Sequence, residues 1–208
     1  MYEKVIKRMF DIVLSTMCLL LFSWLLLLIA LAVRLDDGAG SPVIFTQTRV
    51  GAHGTRFTLH KFRTMKPTAP HDCPTHLLEH PEDCITRVGG FLRRTSLDEL
   101  PQLWDILRGK MSVIGPRPAL WNQDDLLAER EKYGANDVRP GLTGWAQING
   151  RDEIGISRKA ELDGEYTRNL RAGGWRAFAF DCRCFFGAIF PVLRCEGVAE
   201  GGKTEREK

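Results

Sequence analysis

Asp98 and Glu99 stand side by side in Thr95-Ser96-Leu97-Asp98-Glu99-Leu100-Pro101-Gln102-Leu103, a segment that reads as the start of a helix. Two readings compete there. Ser96-x-x-Glu99 satisfies a capping box, in which Glu99 only bonds back to a free backbone N–H. With Ser96 as N-cap, however, Pro101 falls inside the helix, where its missing N–H loses a bond. With Asp98 as N-cap, Pro101 falls in the first turn, where no N–H is needed. Either way both acids lie at a helix N-terminus, whose partial positive charge favours an ionised Asp98 and attracts phosphate. An ionised Asp98 in that position is a candidate nucleophile on phosphorus, or a ligand for Mg²⁺ bridging a diphosphate.

Further along the chain, Arg117 is set between Pro116 and Pro118, so its backbone has little freedom left to lose. Its planar fork matches a pair of phosphate oxygens; the plainer reading is a surface salt bridge on a stiff turn. Arg139, Gln147, Asn149 and Arg151 repeat the theme of arginines and amides among glycines, in Val138-Arg139-Pro140-Gly141-Leu142-Thr143-Gly144 and Gln147-Ile148-Asn149-Gly150-Arg151. Backbone N–H groups bared by glycine, with these side chains, suit a nucleoside diphosphate. Cys73-x-x-His76-x-x-x-His80-x-x-x-Cys84 offers metal-ligand types, but its spacing matches no zinc finger, and a solvated loop is favoured for residues 71–84.

Elements must hold these groups together. Residues 12–33 are apolar except for Ser15, Thr16 and Ser23, and about 20 such residues cross a bilayer as a helix. The run is too long for a secretory signal core, and no small-residue cleavage site follows it, so it is read as retained. Lys4, Lys7 and Arg8 precede it, and Arg49, Arg56, Lys61 and Arg63 follow, so counting positive charges does not choose between a spanning and a re-entrant helix. Short strands are expected at 43–45 and 57–62 as a hairpin, then a loop over 66–84. Helices are expected at 100–107, 120–132, 161–170 and 175–193. The last is rich in aromatics and lies either in the headgroup plane or in the core.

Composition narrows the class. The chain has 208 residues, 44% hydrophobic and 26% charged, with net charge +3 and six cysteines. That describes one folded domain plus an attached segment, not a disordered chain or a disulfide scaffold. The charge is too mild to argue for nucleic acid and suits an anionic membrane surface. No internal repeat, P-loop or dinucleotide fingerprint is present. Besides an enzyme, the residues leave open a membrane-anchored module that holds a nucleoside diphosphate compound for a partner, or a membrane phosphohydrolase.

Taken in order, Lys7-Arg8-x-x-Asp11, Lys61-Phe62-Arg63-Thr64-Met65, residues 95–103, Met111-Ser112-Val113-Ile114-Gly115-Pro116-Arg117-Pro118, residues 138–151 and Cys195-Glu196-Gly197 closely resemble the bacterial sugar transferases, the monotopic phosphoglycosyl transferases of glycoconjugate assembly. The chain looks like a small member of that family. The resemblance implies an α/β fold with an N-terminal re-entrant membrane helix (1–35), a cytoplasmic catalytic domain (36–197) with amphipathic interfacial helices and a small mixed or antiparallel sheet, and a flexible tail (198–208). It implies transfer of a sugar 1-phosphate from a UDP-sugar to polyprenol (undecaprenyl) phosphate with release of UMP, at the cytoplasmic face of the bacterial inner membrane. Asp98 would be the nucleophile and the Mg²⁺ ligand. Glu99 would place the metal or handle a proton, and Lys61, Arg93 and Arg117 would surround the phosphates. Membrane lipids and downstream glycosyltransferases are the further partners it suggests, with no nucleic acid. One departure stands out: the family's mid-segment Ser-Pro is Ser23-Trp24 here. Ser23 is expected to bend the helix by bonding back to a carbonyl. A second departure is residues 171–180, longer than the family's usual stretch, and Asp181 is the match for a family acid near there.

Overall fold

The computed structural model describes residues 1–36, 41–70, 81–150 and 154–193. A π-helical turn, Tyr2–Ile6, leads into α1 (Lys7–Leu21), and α2 (Ser23–Asp36) follows at once. The two helices diverge by 64°. Ser23 Oγ donates to the Leu20 carbonyl at 2.9 Å at the bend, the device expected in place of a proline. No described helix is by itself long and apolar enough to cross a membrane; Tyr2–Leu21 and Ser23–Asp36 reach that length and composition only as a bent pair.

α1 is inside out. Lys7, Asp11 and Ser15 repeat every four residues and are the buried stripe, while Met9, Phe10, Val13, Met17, Leu20 and Leu21 are exposed. Ordinary surface helices bury the apolar stripe and solvate the polar one. α2 continues the apolar surface with Trp24, Leu27, Leu31 and Leu35, and buries only Ile29 and Val33 against Phe62 and Leu92.

Strands β1 (Ile44–Val50) and β2 (Arg56–Phe62) form the expected antiparallel hairpin, with β1 starting and ending later than the sequence suggested. Next come α3 (Pro81–Cys84), α4 (Arg87–Thr95), a 3-10 turn at Leu97–Glu99, and α5 (Gln102–Leu107). β3 (Ser112–Ile114), α6 (Asp124–Glu131), β4 (Gly141–Thr143) and α7 (Trp145–Ile148) precede α8 (Ile156–Ala172) and α9 (Gly174–Leu193). In place of a single small sheet there are two separate two-stranded pairs: β1–β2 antiparallel and β3–β4 parallel. The parallel pair went unread because each strand has only three residues, too few to show a period.

Gly115, Gly141 and Gly144 make that pair possible. A Cβ on Gly141 would sit 2.1 Å from Gly115 N, and one on Gly144 would sit 2.1 Å from Gly115 O. These glycines permit backbone-to-backbone contact. The Gly115 and Gly141 N–H groups are spent on Thr143 O and Pro116 O, so neither is bared for a nucleotide.

The main core joins Leu59, Leu103, Ile106, Met111, Leu162 and Tyr166 with Ala177 and Cys184 of α9. Burying each large side chain stabilises by about 1.5–3 kcal/mol. α9 meets the core reading on one face, where Ala177, Asp181 and Cys184 are buried, while Trp175 and Phe186 are exposed on the other.

Candidate active site

The chain reverses at Ser96, which adopts left-handed backbone (φ 57°) between α4 and the turn that carries Asp98 and Glu99. A non-glycine residue there is strained by roughly 1–3 kcal/mol, a feature concentrated at functional sites. Ser96 makes no side-chain cap, and α5 begins only at Gln102 behind Pro101. The capping-box reading is therefore corrected, and so is the reading of Asp98 as N-cap. Glu99 faces two cations instead of a backbone N–H. Its Oε1 lies 2.8 Å from Lys61 Nζ and 2.5 Å from an Arg117 nitrogen, and Oε2 lies 3.4 Å from the other.

Asp98 is buried, with Lys61 Nζ at 4.0 Å from Oδ2. Burial pushes its carboxyl above the usual range and the adjacent Glu99 adds to this, against Lys61, Arg117 and Arg93. Burial also disfavours ionised Glu99, but Arg117 and Lys61 together overcome it and hold Glu99 well below the usual carboxylate range. The two neighbouring acids are thus pushed apart. Glu99 is a fixed anion that orients Lys61 and Arg117, and Asp98 keeps oxygens for other chemistry. Three cations face two carboxylates, a cluster of net positive charge suited to a diphosphate.

Several elements hold this cluster. Lys61 shares the β2 face of Phe57 and Leu59 by strand alternation. Asp105 of α5 braces that strand: its Oδ2 accepts the His60 N–H at 2.9 Å, and Oδ1 lies 2.7 Å from His60 Nδ1. Arg49 donates to Pro118 O at 3.0 Å, and Val50 N–H donates to Ala119 O, so β1 anchors the arginine turn. α4 is fixed by the Thr86 cap on Gly89 and by Asp36 of α2, which accepts the Val88 N–H at 2.9 Å.

The structure brings Lys61, Arg93, Asp98, Glu99 and Arg117 together. It does not bring every candidate there. Arg139 lines a small cavity with Glu3, Lys7, Asp11, Ser112 and Leu170. Asn149 spends its amide on the Trp145 carbonyl at 2.8 Å. Both amide atoms of Gln147 are buried without a hydrogen-bond partner, and its Oε1 lies 3.2 Å from the Cβ position of Gly144. Arg151 and His71, Cys73, His76 and His80 lie outside the described residues.

Sequence reasoning missed the work of the N-terminal charges, which it treated as topology signals. Lys7 Nζ donates to Asp181 Oδ2 at 2.9 Å, and Asp181 also accepts the Tyr2 and Tyr166 hydroxyls at 2.7 and 2.9 Å. Burial, with Asp181 second, pushes the Tyr166 hydroxyl well above its usual range. The signal available in the sequence was the four-residue spacing of Lys7, Asp11 and Ser15 within an otherwise apolar helix.

Among the described residues no group of three or more His, Cys, Asp or Glu side chains converges as a metal cage. Mg²⁺ at a diphosphate takes only one or two carboxylates, the phosphates and water supplying the rest. Asp98 alone fits that requirement, since the Glu99 oxygens are engaged.

Residues 2–194 match the family model described as bacterial sugar transferase. The chain is 39% identical over 204 residues to an uncharacterized sugar transferase, EpsL, of Bacillus subtilis, covering 98% of this chain and 95% of that protein. It is 42% identical over 195 residues to the UDP-glucose:undecaprenyl-phosphate glucose-1-phosphate transferase of Escherichia coli, covering 90% of this chain and 40% of the other. It is 34% identical over 210 residues to the undecaprenyl-phosphate galactose phosphotransferase of Salmonella typhimurium, covering 94% of this chain and 42% of the other. The chain thus spans less than half the length of these last two relatives.

Proposed function

The chain belongs to the bacterial sugar transferase family, and from that premise we propose that it moves a sugar 1-phosphate from a UDP-sugar to polyprenol phosphate at the cytoplasmic face of the inner membrane, releasing UMP. The observation that carries this reading is the buried Asp98 beside a Glu99 locked between Lys61 and Arg117. That cluster shares a molecule with helices whose apolar face is turned outward.

Asp98 attacks the sugar-linked phosphorus. A new carboxylate–phosphorus bond forms, the bond to the UMP oxygen breaks, and UMP leaves with the electron pair. A phosphate oxygen of the polyprenol then attacks the same phosphorus, forming the lipid diphosphate sugar and returning the Asp98 carboxylate. Two anionic substrates must approach one carboxylate in turn, so Lys61, Arg93 and Arg117 lower the repulsion in each step. Asp98 would hold Mg²⁺, which when bound would supply further charge neutralisation. Glu99, doubly ion-paired, keeps two of the three cations aimed at the phosphates and is not the proton carrier.

Both ends of the apolar helix pair lie on the cytoplasmic side in this reading, since UDP-sugars are made in the cytosol. Impermeant-thiol labelling of Lys4→Cys and Ala172→Cys, above the native cysteine background, is expected to label both from one side; labelling from opposite sides rejects the re-entrant path.

UMP release on mixing a UDP-sugar panel with polyprenol phosphate and Mg²⁺ tests the activity. UDP-glucose and UDP-galactose head the panel because relatives named for those sugars are 42% and 34% identical. A binding module releases no UMP, and a phosphohydrolase releases it without the lipid. With donor alone, wild type is expected to gain a phosphosugar adduct on Asp98, and Asp98→Asn none.

A further inference from the structure

Arg8 and Asp11 stand three residues apart on α1, and each grips a different segment. Arg8 donates to Ile106 O at 2.6 Å and Leu107 O at 2.8 Å, the last carbonyls of α5, where a cation satisfies free acceptors and the helix dipole. The other end of this six-residue helix follows directly on Asp98, Glu99, Leu100 and Pro101. Asp11 Oδ1 accepts the Ser112 hydroxyl at 3.0 Å and the Val113 N–H at 2.9 Å. The Ser112 and Gly115 N–H groups donate to Pro140 and Thr143 of the parallel pair, and Asp11 takes the Val113 N–H between them. β3 then runs straight into Gly115-Pro116-Arg117. The far ends of the two gripped segments meet again where Arg117 pairs with Glu99.

We propose that Arg8 and Asp11 are positioning residues that set the separation between Asp98 and Arg117, so that the geometry of the catalytic pocket follows the seating of α1. The inference rests on the transferase reading above. Both bond to protein groups outside the Asp98, Glu99, Lys61 and Arg117 cluster. α5 and β3 are short hydrogen-bonded segments, so a shift at the gripped end reaches the other end with little loss. Misplacing a reacting group by about 1 Å can cost on the order of 100-fold in rate.

The two grips predict different kinetics. Asp98 acts on the transition state, so releasing α5 with Arg8→Gln is expected to lower kcat by roughly 10- to 100-fold with little change in donor KM. Arg117 holds the donor from the ground state onward, so releasing β3 with Asp11→Ala is expected to raise donor KM by about 10-fold with a smaller change in kcat. Asp11→Asn, which keeps the accepting oxygen, is expected to restore KM. Arg8→Lys and Ser112→Ala are milder forms of each release and carry the test if the stronger variants fail to fold. Hydrogen exchange without substrate reads the same division: Arg8 variants loosen residues 97–107, and Asp11 or Ser112 variants loosen residues 112–118. Wild-type UMP release in the same membrane preparation decides the transferase reading independently. Equal losses of kcat and KM in both sets, or exchange rising uniformly across both segments, would overturn the division.

Discussion

At the scale of single residues, the pocket sets two neighbouring carboxylates to opposite tasks. Asp98 is held above the usual carboxylate range by burial, so its ionisation works against the fold; that contribution is absent below the unfolded carboxyl range and appears as pH rises through the raised value. Asp98→Asn is therefore expected to abolish turnover while raising the melting temperature at neutral pH, with the gap closing in acid. Glu99 is the reverse case: held low by Arg117 and Lys61 against burial, it stabilises above the unfolded range and loses that contribution as pH falls through its depressed value. Glu99→Gln is expected to melt lower than wild type at neutral pH and to reduce kcat by roughly 10-fold or more as the cations lose their brace. Melting curves against pH for both variants check the opposed signs. The grouping of Asp98, Glu99, Lys61, Arg93 and Arg117 was legible only through the family resemblance. The single-residue reading of Glu99 was not, because a capping box and an ion-paired carboxylate share one local pattern and differ only in what arrives from β2 and the Pro116–Pro118 turn.

At the scale of elements, the hairpin and the long helices were legible because they carry a period. α4 and the β3–β4 pair were not. The glycines of the second pair read as a phosphate-gripping turn, whereas their N–H groups close the strand pair. Gly141→Ala tests this directly: a methyl group 2.1 Å from Gly115 N must push the strands apart. A loss on the order of 2–4 kcal/mol is expected in denaturant melts, with Arg117 displaced and donor affinity reduced. Gly54→Ala, with open space around it although its φ is +70°, is the control and is expected to lose only about 1 kcal/mol.

At the scale of the whole molecule, the helices that turn their apolar residues outward also pack a buried polar stripe against the rest of the fold. Lys7 and Asp181 are both buried and joined at 2.9 Å. Removing one partner strands the other charge, so Lys7→Met is expected to destabilise by roughly 3–5 kcal/mol in urea melts of the reconstituted protein. Position along the chain hid this, since no local period links residues 174 apart. The Tyr2 hydroxyl reaches Asp181 across 179 positions. Synthesis at roughly 5–20 residues per second puts about 10–35 s between the two ends leaving the ribosome. For that interval Tyr2 and Lys7 lack their Asp181 partner, and no translation product that stops short of Asp181 closes the knot of Tyr2, Lys7, Tyr166 and Asp181.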